Sequence, residues 1–269
     1  MDEKTLERHY AHVYEQSGKL FASECALIER AISFSFAVYF HLVKAARASK
    51  LNEKSEYLAI LFYRNCVYLS ASYQLIRSGM LDPAGNNLRT VFETILWQYA
   101  YLCDDELYAN FLEVTKLEDL KFKLIKTGKW SNTKERTLEN LRRKYNVQKM
   151  MKRLYSTEVF EKFFFNPYWV MSQKAHSSIF GVNYNTPNLD GSTTIERRPE
   201  ELKDNLKTTL YLCAENLICF LNCFSDYLPQ IDMDQILKFT NLLNANLPPT
   251  LPLVPNKKEM KFTLRFKEV

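Results

Sequence analysis

Glycine is scarce in this sequence, with 6 residues among 269, and most of them fall at predicted turns. Sandwiches and barrels need many tight turns, where glycine is favoured, so an all-β fold is excluded. The most apolar stretch, 31–43, is too short to span a membrane and contains His41. The first ten residues mix acidic and basic side chains, unlike a signal peptide. These features predict a soluble, cytoplasmic, all-α protein without a membrane partner.

The sequence also lacks the motifs that mark common cofactor and metal sites. It contains no Gly-x-x-x-x-Gly-Lys-Ser/Thr loop, no Gly-x-Gly-x-x-Gly, no His-Glu-x-x-His and no Gly-x-Ser-x-Gly. None of the 6 cysteines forms a Cys-x-x-Cys pair, which favours reduced, buried thiols. His9, His12 and Glu15 share a helical spacing but have no fourth ligand nearby, so we interpret them as surface side chains. No cofactor and no metal are predicted.

Positive charge is concentrated in one part of the chain. Residues 116–153 contain 13 Lys and Arg against 4 Asp and Glu, whereas the whole chain has a net charge of only +5. Trp130 lies at the centre of this stretch, and Arg142 and Arg143 follow it. Basic side chains beside an aromatic ring are typical of surfaces that bind nucleic-acid phosphates and stack a base. The alternative is a solvated face of lysine-rich helices.

Helical spacing of apolar residues predicts an antiparallel helical bundle with a protruding basic helical hairpin. The predicted helices are about 2–48, 56–78, 82–104, 106–127, 133–155, 168–179, 199–228 and 232–244. Gly18 is the predicted weak point of the first helix. We expect a single domain over 1–245, with the hairpin inserted at about 106–155. Four prolines mark a linker in 246–269, where the alternating stretch 261–267 predicts a short C-terminal strand tail.

Arg89 and Glu93 stand out in the central helix because its other residues are mostly apolar. They are four residues apart and therefore share one helix face. A buried charge needs a partner, so one interpretation is a structural ion pair that locks helix packing. The other is that the pair orients a catalytic or ligand-binding group on another helix. Arg64 lies on the apolar side of the preceding helix, either near Glu93 or reaching to the surface.

His176 lies close to a long loop at 181–198, in the segment Lys174-Ala175-His176-Ser177-Ser178. A loop of this length in a helical domain is often a lid or a binding element. A single histidine in a helix is ordinarily a structural or a surface side chain. Its place before the loop favours a functional role as well.

The segments Arg89-Thr-Val-Phe-Glu93 and Lys174-Ala-His-Ser-Ser178 resemble those of uncharacterised microbial helical proteins. These proteins carry an Arg-x-x-x-Glu central helix and a later His-Ser segment, and they are similar to the HEPN superfamily. The resemblance covers roughly residues 56–228. HEPN proteins are helical bundles that often act as metal-independent ribonucleases in defence and toxin systems. No arginine stands at the HEPN Arg-x4–6-His spacing before His176, so the resemblance implies only a polar cluster of Arg89, Glu93 and His176.

Three hypotheses of function follow. The first is a HEPN-like protein that acts on or binds RNA or a nucleotide, as a defence or toxin-type ribonuclease. His176 would be the general acid/base, Glu93 would orient it, and Arg89 with Arg64 or Lys174 would neutralise phosphate charge. The second is a non-enzymatic interaction or scaffold protein in which Arg89 and Glu93 are structural. The third is a small-ligand sensor with a pocket under the 181–198 loop. A homo-oligomer is compatible with each.

Overall fold

A computed structural model describes residues 3–48, 51–144, 147–163, 199–247, 253–255 and 260–263. Within these ranges the chain is helical and contains no β-strand, which confirms the predicted all-α class. The predicted helix 168–179 lies outside the described residues. The helices are α1 (Glu3–Leu20), α2 (Ala22–Ala48), α3 (Glu53–Arg77), α4 (Leu81–Cys103), α5 (Asp105–Ile125), α6 (Asn132–Lys144), α7 (Val147–Leu154), α8 (Thr157–Phe163), α9 (Pro199–Phe224) and α10 (Gln230–Ala245).

Local capping chemistry sets several helix ends. The Asn52 side chain accepts a hydrogen bond from the backbone N–H of Ser55 at 2.8 Å and begins α3. Asp104 does the same for α5 by accepting from the N–H of Leu107 at 3.1 Å. Gly79 has a φ of 77°, the left-handed conformation that ends helices at low steric cost. These ends lie within a few residues of their predicted positions.

The core is built around α3 and α4, which pack against each other along their lengths and against α9. Asn65 contacts Gln98, and Ser72 reaches the carbonyl of Ala84. Because residues later in α3 meet residues earlier in α4, the two helices run in opposite directions. Helix α2 covers a further side of α3 and α9. The largest fully buried side chains are aromatic: Tyr73, Tyr99, Tyr155, Phe62, Phe92, Phe220 and Phe224.

The first helical region breaks at Phe21, between α1 and α2, and not at Gly18. Gly18 lies inside α1, where it packs against the guanidinium of Arg77. An added Cβ at Gly18 would lie 2.4 Å from Arg77 Nη2. That guanidinium donates to the carbonyl of Tyr14 at 2.9 Å and to the Tyr73 hydroxyl at 2.8 Å. The glycine therefore provides space for a side chain that joins α1 to α3.

Helices α5 and α6 pack on each other and share a small apolar core formed by Val114, Leu138 and Leu141. The chain turns between them at Gly128, whose φ is 65°. The single helix predicted for 133–155 is divided into α6 and α7, and residues 145–146 lie outside the described ranges. Helix α7 contacts α4 through the buried side chains of Met150, Met151 and Leu154.

The described parts of the C-terminal segment lie against the helices. Leu253 and Val254 are buried in the main core. Further on, the Asn222 side chain accepts from the backbone N–H of Phe262 at 3.0 Å and donates to its carbonyl at 2.9 Å. The carboxamide thus satisfies both backbone hydrogen-bonding groups of Phe262. Residues 261–263 are not in a strand, and the rest of the predicted strand, 264–267, lies outside the described residues.

One described helix, α2, is long and apolar enough over 22–45 to cross a membrane by length and composition alone. It packs against α3, α9 and α10, as the core helix of a soluble protein does. His41 on this helix contacts Asp232 of α10 at 3.1 Å, which adds a polar contact to that packing. A soluble protein is therefore consistent with this helix.

Candidate functional site

Arg89 and Glu93 form an ion pair on α4, with Arg89 Nε 2.9 Å from Glu93 Oε1. Their side chains are 22% and 27% exposed, so the pair lies at the edge of the core and not within it. Partial contact with water lowers both the desolvation cost and the net contribution of such a pair. Trp97 and Tyr101 stack nearby on the same helix, with ring centroids 5.7 Å apart. This edge combines two charges with aromatic side chains.

The remaining parts of the predicted catalytic cluster are separated or lie outside the described ranges. His176 and Lys174 fall in 164–198, so their proximity to Glu93 and Arg89 stays a prediction. The Arg64 guanidinium lies over the Tyr68 ring at 5.3 Å, and its side chain is exposed. No ion pair joins Arg64 to Glu93, both of which are described. Of the two placements left open for Arg64, the surface is the one observed.

The basic region forms an exposed surface over α5, α6, α7 and the turn at Gly128. We call this the basic surface, and its ten exposed Lys and Arg side chains are Lys116, Lys123, Lys126, Lys129, Arg136, Arg142, Arg143, Lys149, Lys152 and Arg153. Some of these charges are already balanced by carboxylates. Arg142 Nη2 lies 2.8 Å from Glu118, and Arg153 Nη2 lies 2.8 Å from Asp104.

The outer side of α6 presents basic residues without such partners. Arg136 and Arg143 are seven residues apart, on the side opposite the buried Leu138 and Leu141. Asn140, also exposed, lies between them on the same side. Neither arginine forms an ion pair with any side chain in the described part of the protein. Both guanidinium groups can therefore donate hydrogen bonds to an anion from outside.

Trp130 is held within the hairpin. Its indole packs on the small core of α5 and α6, and its Nε1–H donates to Glu135 at 2.6 Å. Lys121 donates to the other oxygen of the same carboxylate at 2.7 Å. The hydrogen bonds from Lys121 and Trp130 lower the pKa of Glu135, and the one from Lys121 has the larger effect. The exposed aromatic of this surface is Phe122, which is 70% exposed and has Lys126 Nζ 5.3 Å from its ring.

Helix α9 carries a buried carboxyl that sequence reasoning did not assign to a site. Glu215 is fully buried, and its Oε1 accepts from the backbone N–H of Leu253 at 2.9 Å. Burial raises the pKa of Glu215 to about 8 against opposing hydrogen bonds from Leu253 and Tyr211. The Tyr155 hydroxyl donates to the carbonyl of Leu253. Glu215 thus holds the C-terminal segment against the core at Leu253.

A second buried polar group joins three helices of the core. The Asn65 side chain donates to Gln98 Oε1 at 3.0 Å and to Asn216 Oδ1 at 2.9 Å. Gln98 donates in turn to the carbonyl of Leu58 at 3.2 Å. These three amide side chains are fully buried and neutral, and their contacts connect α3, α4 and α9. Such a network fixes the relative register of the helices and needs no ligand.

The described residues offer little chemistry for metals or nucleophiles. No group of three or more His, Cys, Asp or Glu side chains in these ranges is arranged to hold a metal ion. The six cysteines are free, and burial raises the pKa of Cys66 to about 12 and that of Cys213 still further. These two thiols are therefore protonated at neutral pH and poor nucleophiles.

No protein-family model, curated protein or solved structure is significantly similar to this chain.

Proposed function

We propose that this chain is a helical-bundle protein that binds RNA or a nucleotide through the basic surface. The observation that carries the proposal is the exposure of ten Lys and Arg side chains on three consecutive helices and one turn. Cations that neutralise phosphates release condensed counterions, which supplies much of the affinity of proteins for nucleic acids. In this proposal α5 and α6 form a basic hairpin that projects from the bundle.

Arg136 and Arg143 are the residues that we assign to phosphate contact. A separation of seven residues corresponds to about 10 Å along a helix, so the two guanidinium groups can contact different phosphates of one strand. Arginine binds phosphate oxygens with two parallel hydrogen bonds, and Asn140 between them adds a neutral donor. Arg142 is a weaker candidate because Glu118 already accepts from its Nε and Nη2.

Phe122 replaces Trp130 as the residue that we assign to base stacking. The Trp130 ring is half-buried, and its N–H is bonded to Glu135. Phe122 is exposed and lies beside a lysine, which suits a platform for an unpaired base with the phosphate held nearby. Single-stranded RNA or a nucleotide is therefore a better ligand for this surface than a regular duplex.

Binding of labelled single-stranded RNA, measured by fluorescence anisotropy over a range of salt concentrations, tests this assignment. For Arg136→Gln/Arg143→Gln we expect about tenfold weaker binding and a salt slope smaller by about 1.4, since two phosphate contacts are lost at about 0.7 each. The matched control is Lys44→Gln/Lys238→Gln, which removes two exposed lysines outside the basic surface. Equal losses in both variants, or salt-independent binding, would contradict the assignment.

Cleavage of the bound RNA is the further part of the proposal. His176 would transfer the proton, Glu93 would orient the imidazole, and Arg89 with Lys174 would neutralise charge on the phosphate. Arg64, the alternative to Lys174 in the sequence-based hypothesis, is not assigned to this cluster, because its guanidinium lies over the Tyr68 ring and forms no ion pair with Glu93. The half-buried ion pair of Arg89 and Glu93 supports this because its carboxylate is fixed yet reachable from the surface. RNA cleavage by the intact protein and by His176→Ala provides the test. Equal rates would reject the ribonuclease and leave RNA binding unaffected.

The interaction or scaffold function is a second candidate, favoured by one observation on another side of the protein. Helices α2 and α3 expose large apolar side chains where a partner could pack, among them Phe40 and Ile60. The sensor hypothesis concerns the loop at 181–198, which lies outside the described residues.

A further inference from the structure

The outward side of α3 exposes a row of large apolar side chains. Ile60, Tyr63 and Val67 are 58%, 39% and 44% exposed, and their spacing places them on one helix face. The adjacent α2 contributes Phe40, which is 55% exposed. Tyr63 is held in place by Tyr39 of α2, with ring centroids 4.8 Å apart. We call Ile60, Tyr63, Val67 and Phe40 the α3 patch.

The α3 patch is large for a surface that stays in contact with water. Aromatic side chains bury 150–250 Å² each when covered, so four large side chains that are about half exposed present roughly 400 Å². Monomeric soluble proteins rarely expose contiguous apolar patches much larger than a few hundred Å². A standard protein interface buries about 800 Å² on each partner. The α3 patch supplies about half of that area before its polar neighbours are counted.

Two charged residues on the same face make this surface complementary to itself. Glu56 and Arg64 are both exposed, and each stands four residues from Ile60, on opposite sides of it. Neither forms an ion pair with a described side chain; Arg64 lies over the Tyr68 ring, and its charge also acts on Tyr57. Four residues correspond to about 6 Å along the helix, so a two-fold axis near Ile60 exchanges the positions of the two charges.

We propose that a second copy of this chain docks on the α3 patch, with the two α3 helices antiparallel about a two-fold axis near Ile60. In this arrangement Glu56 of each copy faces Arg64 of the other, and Ile60 and Tyr63 between them are removed from water. Val67 lies beyond the charges, opposite position 53 of the other copy. The charge order selects this arrangement because a parallel pair would set Glu56 opposite Glu56. In the dimer Arg64 meets a carboxylate, an alternative to the predicted contact with phosphate.

The charges around the α3 patch argue against a membrane as its occupant. Surfaces that bind anionic lipid carry lysine and arginine around an apolar centre. Here the patch is bordered by charges of both signs: Glu53, Glu56 and Arg64 on α3, and Lys44 one turn after Phe40 on α2. The concentration of lysine and arginine in this protein lies instead on α5, α6 and α7.

Sedimentation equilibrium of the full chain, at about 1 to 200 μM, tests the proposal through a charge-reversal cycle. We expect a wild-type dimer and a dissociation constant raised at least about tenfold by Glu56→Arg or by Arg64→Glu, since each reversal sets like charges opposite each other twice. The double variant Glu56→Arg/Arg64→Glu restores both pairs and should return the constant to within about threefold of wild type. Ile60→Asp should give a monomer, and Lys238→Glu, on α10, serves as the charge-matched control.

Several results would overturn the proposal. A wild-type chain that is monomeric up to 200 μM has no such dimer. A dimer that persists in Ile60→Asp uses another surface. Single reversals that weaken the dimer without recovery in the double variant would show that Glu56 and Arg64 do not pair across the interface. A monomer that floats with anionic vesicles, and loses this in Ile60→Asp, would identify lipid as the occupant. Because Ile60 is mostly exposed, circular dichroism should report an unchanged fold in that variant.

Discussion

Replacing Glu215 by glutamine tests the role of the buried carboxyl that fixes the C-terminal segment. The carbonyl oxygen of glutamine can still accept from the N–H of Leu253, while the amide cannot ionise. The titratable groups whose charges act on this site are Tyr99, Tyr155, Tyr211 and Cys219, and burial raises the pKa of each well above its ordinary value. Glu215 is therefore the group of this cluster expected to titrate between pH 5 and pH 8.

The magnitude follows from the pKa of Glu215, raised by burial from 4.5 to about 8. Between these values the folded protein keeps a proton that the unfolded chain has released. The folded state therefore loses stability as pH rises, at up to about 1.4 kcal/mol per pH unit, and the loss levels off above pH 8. Below pH 4.5 the carboxyl is protonated in both the folded and the unfolded state, so the unfolding free energy no longer changes with pH through this group. From pH 5 to pH 8 the carboxyl should cost the wild type roughly 3 to 4 kcal/mol that Glu215→Gln does not lose.

Urea unfolding followed by circular dichroism at several pH values between 5 and 8 provides the measurement. The relevant quantity is the difference between variant and wild type in the change of unfolding free energy across this range. It excludes any constant cost of fitting the amide into the core. Asp204→Asn, an exposed carboxyl on the same helix, is the control and should follow the wild type. Parallel pH profiles for wild type and Glu215→Gln would refute the argument.

Two further substitutions probe the contacts between helices, both by urea unfolding. Gly18→Ala should lower the unfolding free energy by about 1 to 2 kcal/mol, because contact with the bonded Arg77 guanidinium outweighs a helix-propensity gain of about 1 kcal/mol. A more stable variant would show that Arg77 moves aside freely. Asn65→Leu removes the donor to both Gln98 and Asn216 and should cost about 2 to 6 kcal/mol, at about 1 to 3 per unsatisfied group. A change below about 1 kcal/mol would mean that the two amides find other partners.

The positions of most helices could be predicted because their signals are local. Asn52 and Asp104 cap the residues that follow them by about three positions, so the pattern and its effect lie in the same few letters. Gly79 and Gly128 take the left-handed conformation at the ends of their helices for the same local reason. The all-α class follows from such signals together with helical spacing of apolar residues.

Contacts between distant parts of the chain were not predictable in this way. Gly18 was expected to weaken its helix, yet its partner Arg77 lies 59 residues away and occupies the space that the missing side chain leaves. Glu215 is a polar residue in a mostly apolar helix, but its partner Leu253 lies in a stretch that the prolines mark as a linker. No spacing rule connects these residues, because their proximity depends on how whole helices pack.

The charge of a surface can be predicted with less knowledge of how distant parts of the chain pack. Counting lysine and arginine in 116–153 requires no knowledge of packing, and ten of these side chains are indeed exposed. The position of a single aromatic ring does require it, which is why Trp130 was singled out and Phe122 was not. In the same way Arg64 could be recognised as unusual, while its exposure beside Ile60 depends on the side of α3 that the core leaves uncovered.

RNA binding and dimer formation are proposed for different surfaces, so either can fail without the other. If both hold, the dimer would strengthen RNA binding. The basic surface lies on α5, α6 and α7, whereas the proposed dimer forms through α3. A dimer would carry two basic surfaces, and a second contact by the same RNA strand would then be intramolecular, with an effective concentration that can reach the millimolar range. Loss of the dimer would remove this gain but leave the contacts of Arg136 and Arg143 intact. Weak phosphate contacts on one hairpin can thus yield useful affinity when the protein is paired.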